Sequence, residues 1–125
     1  MILGIGTDLV DIRRIERLWT RFRDRFVLRV SSPLEETGHP SPLLLAKRFA
    51  GKEACSKALG VGIGAKLSFH DITIRTGLSA PPQIEVTQTA LLKIHPQRDP
   101  SKIKLDFSLS DEYPYVQAFV IVSQV

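Results

Sequence analysis

The spacing of apolar residues changes along this chain, and this change limits the fold more than any other feature of the sequence. Near the N-terminus, apolar side chains recur every three or four residues from Ile12 to Phe26, as on one face of an amphipathic helix. Near the C-terminus, residues 103–109 alternate between apolar and polar, and residues 116–122 form a β-prone run. Helical periodicity followed by strand periodicity predicts an α+β fold rather than a doubly wound sheet.

Two helices dominate the prediction. The first covers residues 12–26, with Asp11 as its N-cap. The second covers residues 43–59, which are rich in helix-forming residues and lack proline, and Gly60 is expected to end it. Residues 31–42, rich in Ser, Pro and Gly, predict a loop between the two helices.

The shorter segments predict about five strands, one further helix and tight turns. The strands are expected at 2–9 (ending near Asp8), 67–75, 83–87, 103–109 and 116–122, the short helix at 89–94, and turns at 77–82 and 111–114. The last two strands are expected to pair antiparallel. Residues 1–125 are therefore predicted to form a single α+β domain, with a small antiparallel sheet and two main helices.

The composition is that of an ordinary folded domain. With 125 residues, 43% of them hydrophobic, the chain can bury a core without disulfides or a structural metal. Its one cysteine, Cys55, cannot form an internal disulfide and suits a reducing compartment. No apolar stretch approaches the ~20 residues of a membrane span, and the N-terminal segment does not resemble a signal peptide. We therefore expect a cytoplasmic protein.

An excess of positive charge predicts an anionic partner. The net charge is +4, and the polar face of the first helix carries Arg13, Arg14, Arg17, Arg21, Arg23 and Arg25. Such a stripe suits an acidic protein, a phosphorylated cofactor or nucleic acid, and it is also consistent with a merely solvated surface. Nucleic acid is disfavoured because aromatic residues are few (7%) and are not interleaved with the basic residues. A further alternative is a non-catalytic assembly subunit that uses the β-rich half of the chain as its interface.

Two carboxylates and a lysine are the best candidates for chemistry. Asp8 lies where a strand is expected to end, and Phe49, Glu53 and Lys57 are four residues apart on one stripe of the second helix. Mg²⁺ is usually held by one or two carboxylates together with substrate phosphates, so Asp8 and Glu53 suit such an ion and Lys57 suits a phosphate. Simpler alternatives remain open: Asp8 as a turn or cap residue, and Glu53 with Lys57 as a solvated ion pair.

Other residues with chemical potential give weaker signals. The glycines at 60, 62 and 64 resemble a phosphate-binding loop, but they follow a helix instead of preceding one, so a helix stop with a flexible connector is the simpler interpretation. The three histidines lack metal-ligand spacing. Cys55, among small residues of the second helix, predicts a buried structural thiol.

Four segments together form a longer pattern. They are GIGTDLVDIRRIE (4–16), AKRFAGKEACSKALGVGI (46–63), LSFHDITI (67–74) and FSLSDE (107–112). In order and spacing they resemble the holo-acyl-carrier-protein synthase family, the small class of phosphopantetheinyl transferases, over nearly the whole chain. The resemblance implies a magnesium-dependent enzyme that transfers 4′-phosphopantetheine from coenzyme A to a serine of apo acyl carrier protein and releases 3′,5′-ADP.

The resemblance also implies roles for individual residues. Asp8 and Glu53 would bind Mg²⁺, and Arg14 and Arg21 would dock the acidic carrier protein. Coenzyme A would be held by Arg48, Phe49, Lys57, Gly60 and Gly62. Our hypothesis for catalysis assigns charge stabilisation to Lys57 and makes Glu53 the candidate base. The resemblance further implies a homotrimer with active sites at subunit junctions. Neither a nucleic-acid nor a membrane partner is expected.

Two positions depart from the family pattern. Asp106 replaces the usual histidine, so a cofactor contact from this position is not expected to be preserved, and Ser79–Pro82 replaces the usual Gly-Lys-Pro turn. Asp111 matches one branch of the family and is a further candidate for the site.

Overall fold

The computed structural model describes residues 1–77 and 79–125, and these form an α+β fold, as predicted. The strands are β1 (Ile2–Asp11), β2 (Ile72–Arg75), β3 (Gln83–Val86), β4 (Ile103–Glu112) and β5 (Tyr115–Gln124); the helices are α1 (Ile12–Phe22), α2 (Asp24–Val30), α3 (Pro42–Ala58) and α4 (Gln88–Ile94). Two 3-10 turns, Phe69–Asp71 and Pro100–Lys102, precede β2 and β4. Within the described residues, none of the helices has the length and apolarity needed to cross a membrane.

The strands form two antiparallel sheets. The larger has the order β1-β5-β4, and β2 pairs with β3 in the smaller one. In the larger sheet Gly6 lies opposite Val120, and Val120 lies opposite Phe107. Because side chains alternate along a strand, this register divides the sheet into an inner face, which packs on α3, and an outer face, which carries exposed residues such as Ile5 and Phe119.

Two glycines bring β1 directly against the backbone of α3. A Cβ atom on Gly4 would lie 1.8 Å from the carbonyl oxygen of Ala58, and one on Gly6 would lie 1.9 Å from that of Ala54. Ala54 is fully buried and Ala58 nearly so. Small residues on both elements therefore let strand and helix approach more closely than ordinary side chains would allow. This contact determines what the next inner-face residue of β1, Asp8, can reach.

The boundaries of α3 agree with the sequence prediction. The Ser41 side chain accepts a hydrogen bond from the Leu44 backbone N–H and caps the helix, and Pro42 occupies its first turn. At the other end Gly60 adopts a positive φ of 75°, which ends the helix as expected.

The predicted single helix over residues 12–26 is wrong, because the chain breaks at Arg23. This residue has φ 50° and ψ −125°, separates α1 from α2, and places its guanidinium carbon 4.5 Å from the centre of the Trp19 ring. Asp11 caps α1 as predicted, since its side chain accepts from the Arg13 N–H. The apolar periodicity continues through the break, because Phe22 packs against the core and Phe26 is buried in it on either side of the bend.

The predicted loop at residues 31–42 contains a buried ionic network that the sequence did not indicate. Glu35 accepts a hydrogen bond from the fully buried Lys52 ammonium at 2.6 Å, and it also accepts from the backbone N–H groups of Ser32 and Ile74. The Lys52 ammonium donates further to the carbonyl oxygens of Val30 and Phe69. The network therefore joins α2, the loop, α3, the first 3-10 turn and β2.

Smaller corrections concern the strand boundaries. β1 continues to Asp11, so Asp8 lies within the strand and pairs with Ala118 instead of ending it. The strand predicted over 67–75 begins only at Ile72, because a capping box between Ser68 and Asp71 closes a 3-10 turn first. β4 and β5 are longer than predicted and are connected at Tyr113 and Pro114. The predicted turn at 77–82 includes Leu78, which lies outside the described residues.

A candidate active site between β1 and α3

Asp8 is the inner-face residue that follows Gly6 along β1. The close packing of Gly4 and Gly6 on α3 carries the Asp8 side chain to the same helix, where its Oδ1 accepts a hydrogen bond from Lys57 Nζ at 3.2 Å. The Asp8 side chain is 17% exposed, so it is shielded from solvent but accessible. The strand therefore places one carboxylate beside Lys57, in the last turn of α3.

Glu53 lies one helical turn before Lys57 and close to Asp8. Burial, and secondarily the negative charge of Asp8, raise the pKa of Glu53, whereas the positive charges of Lys57 and Arg14 oppose this rise. The charge of Asp8 thus acts on a residue 45 positions away in sequence. The expected convergence of Asp8 and Glu53 stays a prediction that this electrostatic effect favours.

Lys57 is the cation nearest to the carboxylate pair. Besides Asp8, its ammonium donates to the backbone carbonyl oxygen of Thr7 at 2.9 Å. Its side chain is 55% exposed, so the charge is directed toward solvent and a ligand can reach it. The Lys57 ammonium could therefore bind an anionic group such as a phosphate. A divalent cation held by the two acids would neutralise the same group.

Phe49 and Arg14 extend the site toward α1. The guanidinium carbon of Arg14 lies 5.6 Å from the centre of the Phe49 ring, a cation–π distance, and Phe49 is one turn before Glu53 on α3. The Phe49 ring also packs on Phe69, with centroids 5.7 Å apart. Arg14 therefore lies at the edge of the Phe49–Glu53–Lys57 stripe. The sequence analysis did not predict this contact, because it placed Arg14 only on the exposed arginine face of the first helix.

An apolar cleft of about 510 Å³ begins at Phe49 and runs along α1 and α2. It is lined by Leu18, Phe22, Arg25, Phe26, Arg29, Val30, Phe49 and Phe69. A second depression, which shares Arg29 and Phe69 with the first, includes Gly64 of the glycine loop. The aromatic floor of the site therefore connects the arginine-bearing helices with the loop that follows α3.

The glycine loop presents fewer free amides than its sequence suggests. The N–H of Gly60 donates to the Lys57 carbonyl oxygen, and that of Val61 donates to Ser56. A Cβ atom at Gly62 would meet no atom within 4 Å, so space for a ligand exists there. Any contact of a ligand with this loop is therefore more readily made at Gly62 than with the amide of Gly60.

Arg48, by contrast, is not brought to the surface on which Glu53 and Lys57 lie. It is buried, its Nη1 donates to Ser31 Oγ at 3.1 Å, and its Nε lies 3.9 Å from Glu35 Oε2. Its Nε has no hydrogen-bond partner among the described residues. Within one chain Arg48 supports the loop at residues 31–35 instead of facing the site.

The other candidate residues lie away from the carboxylate pair. Arg21 is exposed and has its guanidinium 5.2 Å from the Phe22 ring. Asp106 is on the outer face of the sheet, where its side chain is 52% exposed and lies near Lys104. Asp111 shares the inner face with Asp8 but is two strands across, on the order of 12 Å away.

A metal would have two protein ligands from this chain. Asp8 and Glu53 are oxygen donors whose mutual repulsion a cation would relieve, which fits Mg²⁺ chemistry. Across residues 1–77 and 79–125, no cluster of three or more His, Cys, Asp or Glu residues with metal-binding geometry is present. Mg²⁺ commonly completes its coordination with water and substrate phosphate, so two carboxylates suffice.

The fold and the site define a class: a small α+β enzyme in which a strand carboxylate and a helix carboxylate converge beside a lysine. A family model described as the 4′-phosphopantetheinyl transferase superfamily matches residues 4–117. The chain belongs to this superfamily and, within it, to the holo-[acyl-carrier-protein] synthase family.

Individual relatives cover the whole chain. The holo-[acyl-carrier-protein] synthase of Bartonella tribocorum is 41% identical over 129 residues, with 98% of this chain and 96% of the relative covered. The crystal structure of the Neisseria meningitidis enzyme matches with a TM-score of 0.83 and 37% identity, covering 99% and 100% of the two chains. That of the Helicobacter pylori enzyme, a complex with coenzyme A, matches with a TM-score of 0.81 and 38% identity, covering 95% and 99%.

Proposed function

We propose that this protein transfers 4′-phosphopantetheine from coenzyme A to a serine of an apo acyl carrier protein, depends on Mg²⁺ and releases 3′,5′-ADP. The observation that carries the proposal is the convergence of Asp8, Glu53 and Lys57 between β1 and α3. The names of the relatives support the carrier-protein substrate, and the coenzyme A complex of the Helicobacter pylori relative supports the donor.

Asp8 and Glu53 are the residues that would hold Mg²⁺. When bound, the ion would supply positive charge to the pyrophosphate of coenzyme A. The chain's own contribution is to hold two carboxylates together against their repulsion, through the tight contact of Gly4 and Gly6 with α3. This preorganised arrangement favours cation binding because the cost of bringing the carboxylates together is met by the fold.

Lys57 is the residue we assign to the phosphate oxygens. Its exposed ammonium would neutralise the charge that develops when the serine hydroxyl attacks the phosphorus bearing the pantetheine arm and the bond to 3′,5′-ADP breaks. The hydroxyl proton needs an acceptor nearby. Glu53 is the candidate because its carboxylate lies on the same stripe of α3 as Lys57, one helical turn away, where the reacting groups would meet.

Phe49, Gly60, Gly62 and Arg48 remain the proposed residues for holding coenzyme A, with unequal support. The exposed space at Gly62 and the position of Phe49 one turn before Glu53 favour those two. The buried position of Arg48 suits an indirect role, in which it supports the Ser31–Glu35 loop beside the ligand.

The carrier protein would dock on α1 and α2. The exposed Arg21, together with Arg14, supplies positive charge, and the cleft beside them supplies an apolar floor. Charge complementarity of this kind accelerates association with an acidic partner in a salt-sensitive manner. Arg21→Glu is therefore expected to raise the KM for carrier protein about tenfold and to leave the KM for coenzyme A within twofold.

We also propose a cytoplasmic homotrimer with each site at a subunit junction. The outer face of the larger sheet supports assembly, because Ile5, Leu9, Tyr115 and Phe119 are 40–64% exposed there. A neighbouring copy also offers a route by which residues such as Asp106, on the outer face, would approach another chain's site. The buried Cys55, whose pKa burial raises to about 12, is inert and compatible with a reducing compartment.

The direct test is transfer itself. The purified protein is incubated with apo acyl carrier protein, coenzyme A and Mg²⁺, and the carrier is weighed by mass spectrometry. We expect a gain of one phosphopantetheine mass, which EDTA abolishes and added Mg²⁺ restores.

Variants of the two carboxylates test the metal assignment. Asp8→Ala and Glu53→Ala are each expected to lower transfer by at least a hundredfold while unfolding at close to the wild-type temperature. Leu92→Ala, at an exposed position on α4, is the matched control and should transfer normally. Normal Mg²⁺ dependence in both carboxylate variants would refute the assignment.

A further inference from the structure

Arg14 and Arg21 lie on the same helix but face different neighbours. Arg14 is near the start of α1, immediately after β1, and its guanidinium lies over Phe49 of α3. Arg21, seven residues later, lies over Phe22 of its own helix. Although the sequence groups the two arginines on one docking face, only Arg14 reaches the residue that precedes Glu53 by one helical turn.

The charge of Arg14 acts on Glu53. It lowers the pKa of Glu53, against the effects of burial and of Asp8. Among the described residues, none of the ion pairs includes Arg14, so its guanidinium is not committed to an acidic side chain. Arg14 is exposed, so its N–H groups can donate hydrogen bonds to a ligand.

The other cation of the site is already engaged. The Lys57 ammonium donates to Asp8 and to the Thr7 carbonyl oxygen, so two of its three donor positions are used. A pyrophosphate has more acceptor oxygens than the remaining position can satisfy. A guanidinium offers five donors in a planar fork that matches phosphate oxygens, and the Arg14 guanidinium lies next to the Phe49–Glu53–Lys57 stripe.

We propose that Arg14 binds the pyrophosphate of coenzyme A directly and is therefore a substrate-binding residue of the site, in addition to any contact with the carrier protein. The inference rests on the proposed function, since it takes coenzyme A as the ligand. It assigns different roles to two arginines of one helix: Arg14 to the nucleotide substrate, and Arg21 to the protein substrate.

The test is binding of coenzyme A in the absence of carrier protein. Isothermal titration calorimetry with coenzyme A and Mg²⁺ is carried out on the wild type, Arg14→Gln, Arg14→Lys and the matched control Arg21→Gln. Arg14→Gln is expected to weaken binding about tenfold or more, because a charge-assisted hydrogen bond is lost. Arg14→Lys should recover part of the affinity, and Arg21→Gln should bind within twofold of the wild type.

The outcomes separate this inference from the function on which it rests. If the wild type binds coenzyme A and Arg14→Gln binds it equally well, Arg14 is not a substrate-binding residue. An equal loss in the Arg21 variant would also overturn the assignment, since it would reflect the general charge of α1. If the wild type itself shows no Mg²⁺-dependent binding of coenzyme A, the proposed function fails. Thermal unfolding of each variant confirms that the fold is retained.

Discussion

Glu53 illustrates how one side chain can be unfavourable for the fold and favourable for binding. Burial and the charge of Asp8 raise its pKa above that of the unfolded chain, so its ionised form destabilises the native state. The stabilising contribution of protonated Glu53 is present at low pH and is lost as the pH rises through the folded-state pKa. A cation between the two carboxylates would offset the destabilisation that ionised Glu53 causes, as expected for a preorganised binding site.

Glu53→Gln is therefore expected to stabilise the metal-free protein at pH 7. The gain should be at most about 1 kcal/mol, since the group is partly exposed and solvent screens it, and it should be much smaller near pH 4, where the wild-type carboxyl is mostly protonated in both states. Urea unfolding in EDTA at both pH values measures the difference. Glu112→Gln, which removes an exposed carboxylate at the end of β4, controls for the change in net charge. A gain that persists unchanged at pH 4 would contradict the assigned cause.

Gly6 determines whether the carboxylates meet. Gly6→Ala would place a methyl group 1.9 Å from the Ala54 carbonyl oxygen and 2.6 Å from the Ala58 nitrogen, and because these are backbone atoms the strand must move. We expect a loss of about 3 kcal/mol in the free energy of unfolding, with a large loss of transfer activity as Asp8 moves away. In the control Gly77→Ala the new methyl group would meet nothing within 4 Å, so its stability should change by less than ~0.5 kcal/mol. Equal stability of the two variants, measured by urea unfolding, would refute the close-contact explanation.

The elements of this fold differ in how well the sequence predicts them. The predictions for α3 and for the pairing of β4 with β5 are confirmed, because their signals are local: a run of helix-forming residues with an ending glycine in one case, and alternation around a turn in the other. The bend between α1 and α2 was missed because Arg23 is not a residue that marks a break, and the apolar spacing runs through it. Its conformation is imposed by the packing of Phe22 and Phe26, which is tertiary information.

The residues of the candidate site also differ in how well the sequence predicts them. Asp8, Glu53 and Lys57 were identified from strand position, helical spacing and family resemblance, and their association depends on a contact that the two glycines permit. The Glu35–Lys52 network was not predicted, since a glutamate among Ser, Pro and Gly has the composition of a surface loop. The sequence shows which residues can ionise, but burial depends on how distant segments pack.

The backbone of Arg23 provides a test at the level of the α1–α2 connection. Its positive φ disfavours residues with a Cβ atom, so Arg23→Gly should be more stable than Arg23→Ala by about 1–2 kcal/mol. Both variants lose the contact with Trp19, so the comparison isolates the backbone conformation. At Arg17, within α1, the order should be reversed, with alanine favoured by about 1 kcal/mol. Urea unfolding gives the free energy of unfolding of all four variants. If alanine is more stable than glycine at both positions, the backbone of Arg23 is not strained.

For the molecule as a whole, the larger sheet separates two surfaces with different expected partners. The inner side, with α3 and α1, carries the charged site, whereas the outer face carries exposed apolar residues, and none of the helices in the described part of the chain covers them. Burial of apolar area is the main source of free energy for stable association, so the outer face is the surface where copies of the chain should meet. Assembly would then bury the outer face, and the charged site on the inner side would lie at the margin of the junction with a neighbouring copy.

Phe119→Lys tests this division. A charge at the centre of the outer face should abolish association. Light scattering after size exclusion should then give the mass of one chain for the variant and of three chains for the wild type. Leu92→Lys makes the same substitution at an exposed apolar residue of α4, away from the sheet, and should leave the mass unchanged. A trimeric Phe119 variant would place the interface elsewhere.

The burial of Lys52 has a practical consequence for following the opening of the molecule. Its ammonium is fully enclosed by Glu35 and two backbone carbonyl oxygens, whereas Lys66 and Lys93 are exposed. Acetylating reagents should therefore modify the latter two within minutes but reach Lys52 only when α3 separates from its neighbours. Tryptic mass mapping of this single amine would thus report how often the native protein exposes its interior, without any introduced label.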